Sequence, residues 1–131
     1  MKKHGLIYLL LPLLLLTACG RWQKDDMLRQ LNELQATNQS DSLLTNDSLA
    51  HALVDYFDDY GTPNERMLAH YLLARTYADM GETPQALDEF HTAADCADTT
   101  ATDCDYKVLA RVHAQTVALL YSQCFILSHK V

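Results

Sequence analysis

Glycine and proline are scarce in this chain, four and three among 131 residues. Little therefore breaks a helix, and few of the tight turns that an all-β protein needs can form. Sustained period-two alternation of apolar and polar residues is also missing, which argues against half-buried strands. Cations are few: ten Lys and Arg stand against seventeen Asp and Glu, for a net charge of −7. That balance argues against nucleic acid as a partner, because phosphate neutralisation needs clustered Lys and Arg. It argues equally against electrostatic adhesion to an anionic membrane. Four cysteines are too few for a disulfide scaffold. No nucleophile elbow or phosphate loop occurs. His91, Cys96, Cys104 and His113 lack the close pair spacing of a zinc site; His91 reads as an exposed helix position. The acid-rich stretches "DYFDD" and "DCADTTATDCD" lack the glycine and spacing of a calcium loop. The expectation is a non-enzymatic chain without metal or cofactor.

What is present begins at the N-terminus. Lys2 and Lys3, the apolar run Leu6 to Leu16 and the small pair Thr17-Ala18 have the three-part form of a secretory signal. The run is shorter than the roughly 20 residues needed to cross a bilayer. The segment Leu16-Thr17-Ala18-Cys19 resembles the lipobox of bacterial lipoproteins. That resemblance implies a signal peptide over 1–18, cleavage before Cys19, and lipid on its sulfur and new amino group. Several acyl chains on one residue anchor durably where one binds marginally. Without residues 1–18 the mature chain has 113 residues and a charge of −9, since Lys2 and Lys3 leave with the signal. That length suits one small domain or a few helical repeats. Residues 19–26, ending in "GRWQKDD", read as a lipidated tether; Lys24-Asp25-Asp26 resembles the acidic mark of some surface-exported lipoproteins, though it lies further from Cys19 than such signals sit. Export also permits a disulfide, and Cys96 to Cys104 would close a short loop, with Cys124 left over.

Residues 27–131 read as all-α, antiparallel helix pairs joined by short turns. The clearest helix start is "GTPNE", with Thr62 as N-cap, Pro63 first in the helix and Glu65 completing a capping box. Thr83-Pro84 repeats the cap-then-proline pair, and Thr102 is a third candidate cap, with Asp105 three residues on. Between these starts the apolar spacing is helical: Met67, Tyr71, Ala74 and Ala78, then Ala86, Phe90, Ala93 and Ala97, then Val108, Val112 and Leu119. Two weaker helices are expected near 25–37 and 47–60.

The stretch "HYLLARTYADMGETPQALDEFHTAADCAD" resembles the tetratricopeptide repeat, a 34-residue helix-turn-helix unit. Leu73, Ala74, Tyr77, Gly81, Ala86, Phe90 and Ala93 fall at its signature positions, while His70 replaces the usual Trp and Asp98 the terminal Pro. Small residues let helices approach closely and aromatics fill the wedge between pairs. The resemblance implies that Ala86 and Phe90 are buried where pairs meet. It also places Ala52 and Tyr56 in an earlier, degenerate repeat. With a two-residue insertion, Leu109, Ala110 and His113 then fall in the first helix of a third, His113 in the aromatic slot.

In that family the first helices line a concave groove. Carried over residue by residue, the groove would be lined by Leu68, Tyr71, Arg75, Ala78 and Asp79, then Cys104, Lys107, Arg111, Ala114 and Gln115. Arg75, Lys107 and Arg111 would suit an acidic segment or a chain-terminal carboxylate; the alternative is that they pair with nearby acids. The leading expectation is a non-enzymatic, membrane-anchored protein-interaction module of a Gram-negative envelope, seated at the outer membrane. A ligand-capture lipoprotein resembling glycan-binding repeat proteins is a second reading, but those stack sugars on exposed aromatics and the only Trp, Trp22, lies in the tether. A third is the truncated sensory front of a longer regulator.

The end of the chain is unusual for a repeat protein, which needs a polar terminal cap. Residues 103–127 are expected to form one long helix. Val108, Val112 and Leu119 face the preceding pair, and Leu120, Phe125 and Leu127 have no helix to meet. An uncovered apolar stripe marks an interface or an aggregation liability, so self-association through this helix is expected.

Overall fold

The computed structural model describes residues 3–130, and of Lys3, Thr17 and Ala18 only the backbone. Lys2 and the side chains of Lys3, Thr17 and Ala18, which carry part of the signal-peptide reading, thus lie outside the described residues. Five helices follow one another: α1 Lys3–Gln39, α2 Asp47–Tyr60, α3 Pro63–Asp79, α4 Thr83–Cys96 and α5 Tyr106–His129. No strand occurs among the described residues. The all-α expectation holds.

The helix ends explain where the chain turns. Thr62 and Glu65 form the expected capping box: the Glu65 amide donates to the Thr62 hydroxyl at 3.2 Å and the Thr62 amide to the Glu65 carboxylate at 2.9 Å. At the other end of α3, Gly81 takes φ +81. The Glu82 amide donates to the Tyr77 carbonyl at 2.8 Å and the Gly81 amide to Ala78 at 3.1 Å, a pairing that needs a left-handed residue and favours glycine. That tight link starts α4 one residue before the expected place. Glu82 holds the cap position and Thr83 is already helical, with no side-chain cap bond. The Thr83 hydroxyl accepts from Gln123 Nε2 of α5 at 3.3 Å instead.

The start of α5 also differs from the Thr102 expectation. Asp105 caps it, one carboxylate oxygen accepting from the amides of Lys107 and Val108 at 3.2 and 3.1 Å. A charged acceptor serving two orphan donors outcompetes a hydroxyl serving one. Asn64, at the start of α3, fixes the approach: its Nδ2 donates to the Asp103 carbonyl at 2.8 Å and its Oδ1 accepts from the Asp105 amide at 2.9 Å.

Each helix packs only against neighbours one or two places away in the chain. Asn38 bonds Arg75, Asn64 bonds Asp105 and Arg75 bonds Gln115. The carboxylates of Asp25 and Glu65 both act on Tyr56. The partners advance together, from Asp25 to Asn38 as from Glu65 to Arg75 and from Asn64 to Arg75 as from Asp105 to Gln115, so α1, α3 and α5 run side by side in the same direction, with α2 and α4 returning between them.

The core joins Leu31 and Leu34 of α1, Leu53 and Phe57 of α2, Met67, Leu72 and Leu73 of α3, Ala86, Phe90 and Ala93 of α4, and Val108 and Val112 of α5. Ala74, Ala86 and Ala93 are fully buried, and such small side chains permit close helix approach. Ala86 and Phe90 lie where expected. In α2 the register is one residue off: Ala52 is exposed and Tyr56 half-buried, while Leu53 and Phe57 are buried. Only Gly61 and Thr62 separate α2 from α3. A Cβ on Gly61 would stand 2.6 Å from the Phe57 carbonyl oxygen, so this short link requires glycine for space rather than for φ.

Residues 20–26 are helical and belong to α1, so the expected tether continues the helix that enters the core. From Leu6 to Leu16 the side chains described are exposed, and no other helix covers them.

His70 stands where the repeat family has Trp, and its role is polar. It is buried on α3, with Nδ1 2.6 Å from the Glu89 carboxylate of α4 and Nε2 2.9 Å from that of Asp58 of α2. Carboxylates only accept, so both ring nitrogens donate when the ring is protonated. Burial alone would lower its pKa, but the two carboxylates outweigh burial and the net shift is upward. A raised folded pKa gives stability that is complete below the unfolded value of about 6.5 and is lost as pH rises through the folded value. His70→Leu should cost about 1–3 kcal/mol at about pH 6 and clearly less at about pH 9. Urea midpoints of both proteins at the two pH values check this; parallel pH slopes would remove the histidine tie.

Candidate partner-binding groove

The three parallel helices leave a groove at the level of the late residues of α1. It has a volume of about 480 Å³ and is lined by Asn38, Gln39, Asp41, Tyr71, Arg75, Arg111 and Gln115. Arg75 forms its floor. Its Nε donates to Asn38 Oδ1 at 3.1 Å, one terminal nitrogen to Gln115 Oε1 at 2.9 Å and the other to Asp79 Oδ1 at 3.3 Å. The second Asp79 oxygen accepts from the Leu44 amide at 2.9 Å. One guanidinium thereby locks α1, α3 and α5 together, with its planar fork read by three acceptors.

Arg111 faces the same groove from α5, is exposed and makes no hydrogen bond or ion pair among the described residues. Tyr71 is only 3% exposed. No protein group bonds its hydroxyl, and no buried side-chain oxygen among the described residues is left unsatisfied, so the hydroxyl is the part of Tyr71 that opens to the groove. Asp41 closes the far edge with φ +58, a left-handed conformation that Asp tolerates better than most residues.

The residues expected on this face separate into two groups. Tyr71, Arg75, Arg111 and Gln115 are brought together. Asp79 lies behind Arg75 as its counter-ion, so the alternative of pairing with a nearby acid holds for Arg75 and not for Arg111. Leu68, Ala78 and Cys104 are half-buried, Lys107 and Ala114 are exposed, and none of the five lines the groove. Lys107 sits four residues, about 6 Å of rise, nearer the start of α5 than Arg111. Asn38, Gln39 and Asp41 were not expected, because α1 carries no repeat signature; the polar run "ATNQSDS" closing an apolar-periodic helix was the only signal.

Outside the groove, no disulfide joins Cys19, Cys96, Cys104 or Cys124 among the described residues, so the Cys96–Cys104 loop is not closed. Burial, with the Asp58 charge adding, pushes the Cys96 thiol up. His91 and His113 are exposed; His113 fills no aromatic slot, because the α5 face it occupies has no helix over it. No group of His, Cys, Asp and Glu that could hold a metal occurs among the described residues. Trp22 stands exposed on α1, away from the groove.

Scanned against protein-family models, curated proteins and solved structures, the chain matches none.

Proposed function

We propose that this chain is a lipid-anchored, non-catalytic interaction module of a bacterial envelope, built as a short tetratricopeptide-like solenoid, that takes an acidic segment or chain-terminal carboxylate of a partner protein. Neighbour-only packing and three parallel helices lining one groove support the solenoid reading. The observation that carries the binding reading is Arg111, an unpaired guanidinium beside Arg75 in a chain of net charge −7. A carboxylate there would gain charge-assisted bonds from Arg111 and a further donor from the Tyr71 hydroxyl. Asn38, Gln39 and Asp41 would meet the peptide groups that follow it.

Arg111→Glu tests this. The residue is exposed, so folding should change by no more than about 0.5 kcal/mol. Loss of a charge-assisted contact worth about 1.5–3 kcal/mol should weaken partner recovery from detergent-solubilised envelopes by at least about tenfold. Equal recovery of the same partner by both proteins would remove the groove as the binding face.

A further inference from the structure

The outward face of α5 is a surface the groove does not use. From Val112 to Ser128 the helix carries no Asp, Glu, Lys or Arg. Leu119 and Gln123 are half-buried on the side turned to the rest of the chain. At 100° per residue, Val117, Leu120, Tyr121, Cys124, Phe125 and Leu127 fall within one arc of about 160°, which runs from the flank of that side, at Leu127, to the far side of the helix. The five large ones are between 48% and 73% exposed, and Cys124 is exposed.

Within that arc the spacing is that of a coiled-coil seam. Val117, Leu120, Cys124 and Leu127 alternate by three and four residues, with Val117 and Cys124 at one seam position and Leu120 and Leu127 at the other. A β-branched residue at the first position with Leu at the second favours two parallel strands, a condition that Val117 with Leu120 meets and the unbranched Cys124 does not. Flanking charges normally choose the partner of such a seam. Within α5 the flanking residues are Ala114, Thr116, Tyr121, Gln123 and Ser128, all neutral, and the one charged flank, Lys130, lies past the helix end at its C-cap, so no charge inside the seam repels an identical helix.

The bilayer that would hold the apolar N-terminus does not account for this face. Asn38 and Gln115 both reach Arg75, which sets α1 and α5 in register. Leu16 lies 22 residues before Asn38, about 33 Å back along the axis, and Leu127 lies 12 residues beyond Gln115, about 18 Å forward. The two apolar segments thus stand about 50 Å apart, at opposite ends of the stack.

We infer that α5 pairs with α5 of a second copy of this chain, as a parallel two-helix seam centred on Leu120 and Cys124, distal to the membrane. The parallel sense rests additionally on the anchoring proposed above, which holds both copies upright in one membrane. The seam would bury on the order of 1,000 Å² in total, at the lower bound of specific interfaces, and confinement to one membrane raises the effective concentration that so small a contact needs.

Cross-linking the full chain in isolated envelopes with a short bis-maleimide tests the pairing. In a parallel seam Cys124 meets Cys124 of the second copy, so the unaltered chain should give a covalent dimer. Cys124→Ser should lose it, and Val117→Cys in that background should restore it. In an antiparallel seam about the same centre the two 117 positions would lie about 15 Å apart. Leu120→Glu puts a charge into the seam at an exposed site, and should cut the dimer by at least about tenfold while helical circular dichroism is kept. Any of three results overturns the inference: no dimer from the unaltered chain, a dimer indifferent to Leu120→Glu, or Cys124 linked to a protein of different mass. Cross-linking reads the seam and fractionation reads the anchor, so failure of one is told apart from failure of the other.

Discussion

Phe90→Ala should destabilise the chain by about 3–5 kcal/mol, the range for large aromatic truncations in a packed core. Phe90 is 1% exposed on α4, with its ring centroid 5.9 Å from that of Tyr71. Its helical neighbours at one turn are Ala86 and Ala93, both fully buried. Methyl groups cannot swing into the space a phenyl ring leaves, so the cavity would persist and the cost should lie in the upper half of the range. Tyr71 would also lose its ring contact, and Tyr71 is the buried side of the groove, so Arg111-dependent binding should weaken with stability. For a domain of this size the melting temperature should fall by roughly 10–25 °C. Thermal or urea unfolding followed by circular dichroism checks this. A change under about 1 kcal/mol would place Phe90 outside the core and undo the alignment of the repeat.

Legibility in the sequence followed the kind of signal. Helices α3 and α4 carry both punctuation and periodicity, and their core residues Met67, Tyr71, Ala74, Ala86, Phe90 and Ala93 are readable from spacing alone. Helix α5 was readable in its packing: Val108 and Val112 are buried, Leu119 is half-buried, and Leu120, Phe125 and Leu127 are exposed. Its first residue was not, because Thr102 and Asp105 both offer a capping oxygen and only Asn64, distant in sequence, decides between them. The α2 register failed for a related reason. Apolar residues at Leu49, Leu53, Tyr56 and Phe57 are compatible with two faces one residue apart, and the link through Gly61 chooses.

The groove was half legible. Periodicity put Tyr71, Arg75, Arg111 and Gln115 on one side of two helices, which is a statement about faces. The third wall comes from Asn38, Gln39 and Asp41, where no periodic signal exists and where a left-handed Asp41 turns the chain. His70 was the least legible residue. A histidine at an apolar-periodic position reads as a substitute aromatic, and nothing local announces that Asp58 and Glu89, on different helices, converge on it.

The largest effect is expected at the other end of the chain, from Cys19→Ser. Under the proposed membrane anchoring, two candidate anchors fall in α1. One is the apolar run itself, retained as a helix; the other is lipid on Cys19 after the run has been removed. The run from Leu6 to Ala18 is 13 residues, about 20 Å of helix, against a hydrocarbon core of about 30 Å. Lipid is the stronger anchor on that count, since two or more acyl chains hold a protein durably and each buried methylene contributes about 0.8 kcal/mol. If lipid is the anchor, serine removes the sulfur that carries the diacylglycerol and blocks the cleavage that depends on it. The variant should then accumulate as a precursor longer by the 18 residues of the signal, or appear as a soluble chain after cleavage elsewhere. Either result is read by gel mobility and membrane fractionation together, with incorporation of labelled palmitate lost in the variant. Normal cleavage and unchanged membrane fractionation in Cys19→Ser would refute the lipid anchor. A wild-type chain that keeps its first residues and takes up no palmitate would leave the helix as anchor. The groove would then stand at the same height above the membrane, because α1 runs unbroken from the apolar segment to Gln39, and Arg111 would remain the residue to test.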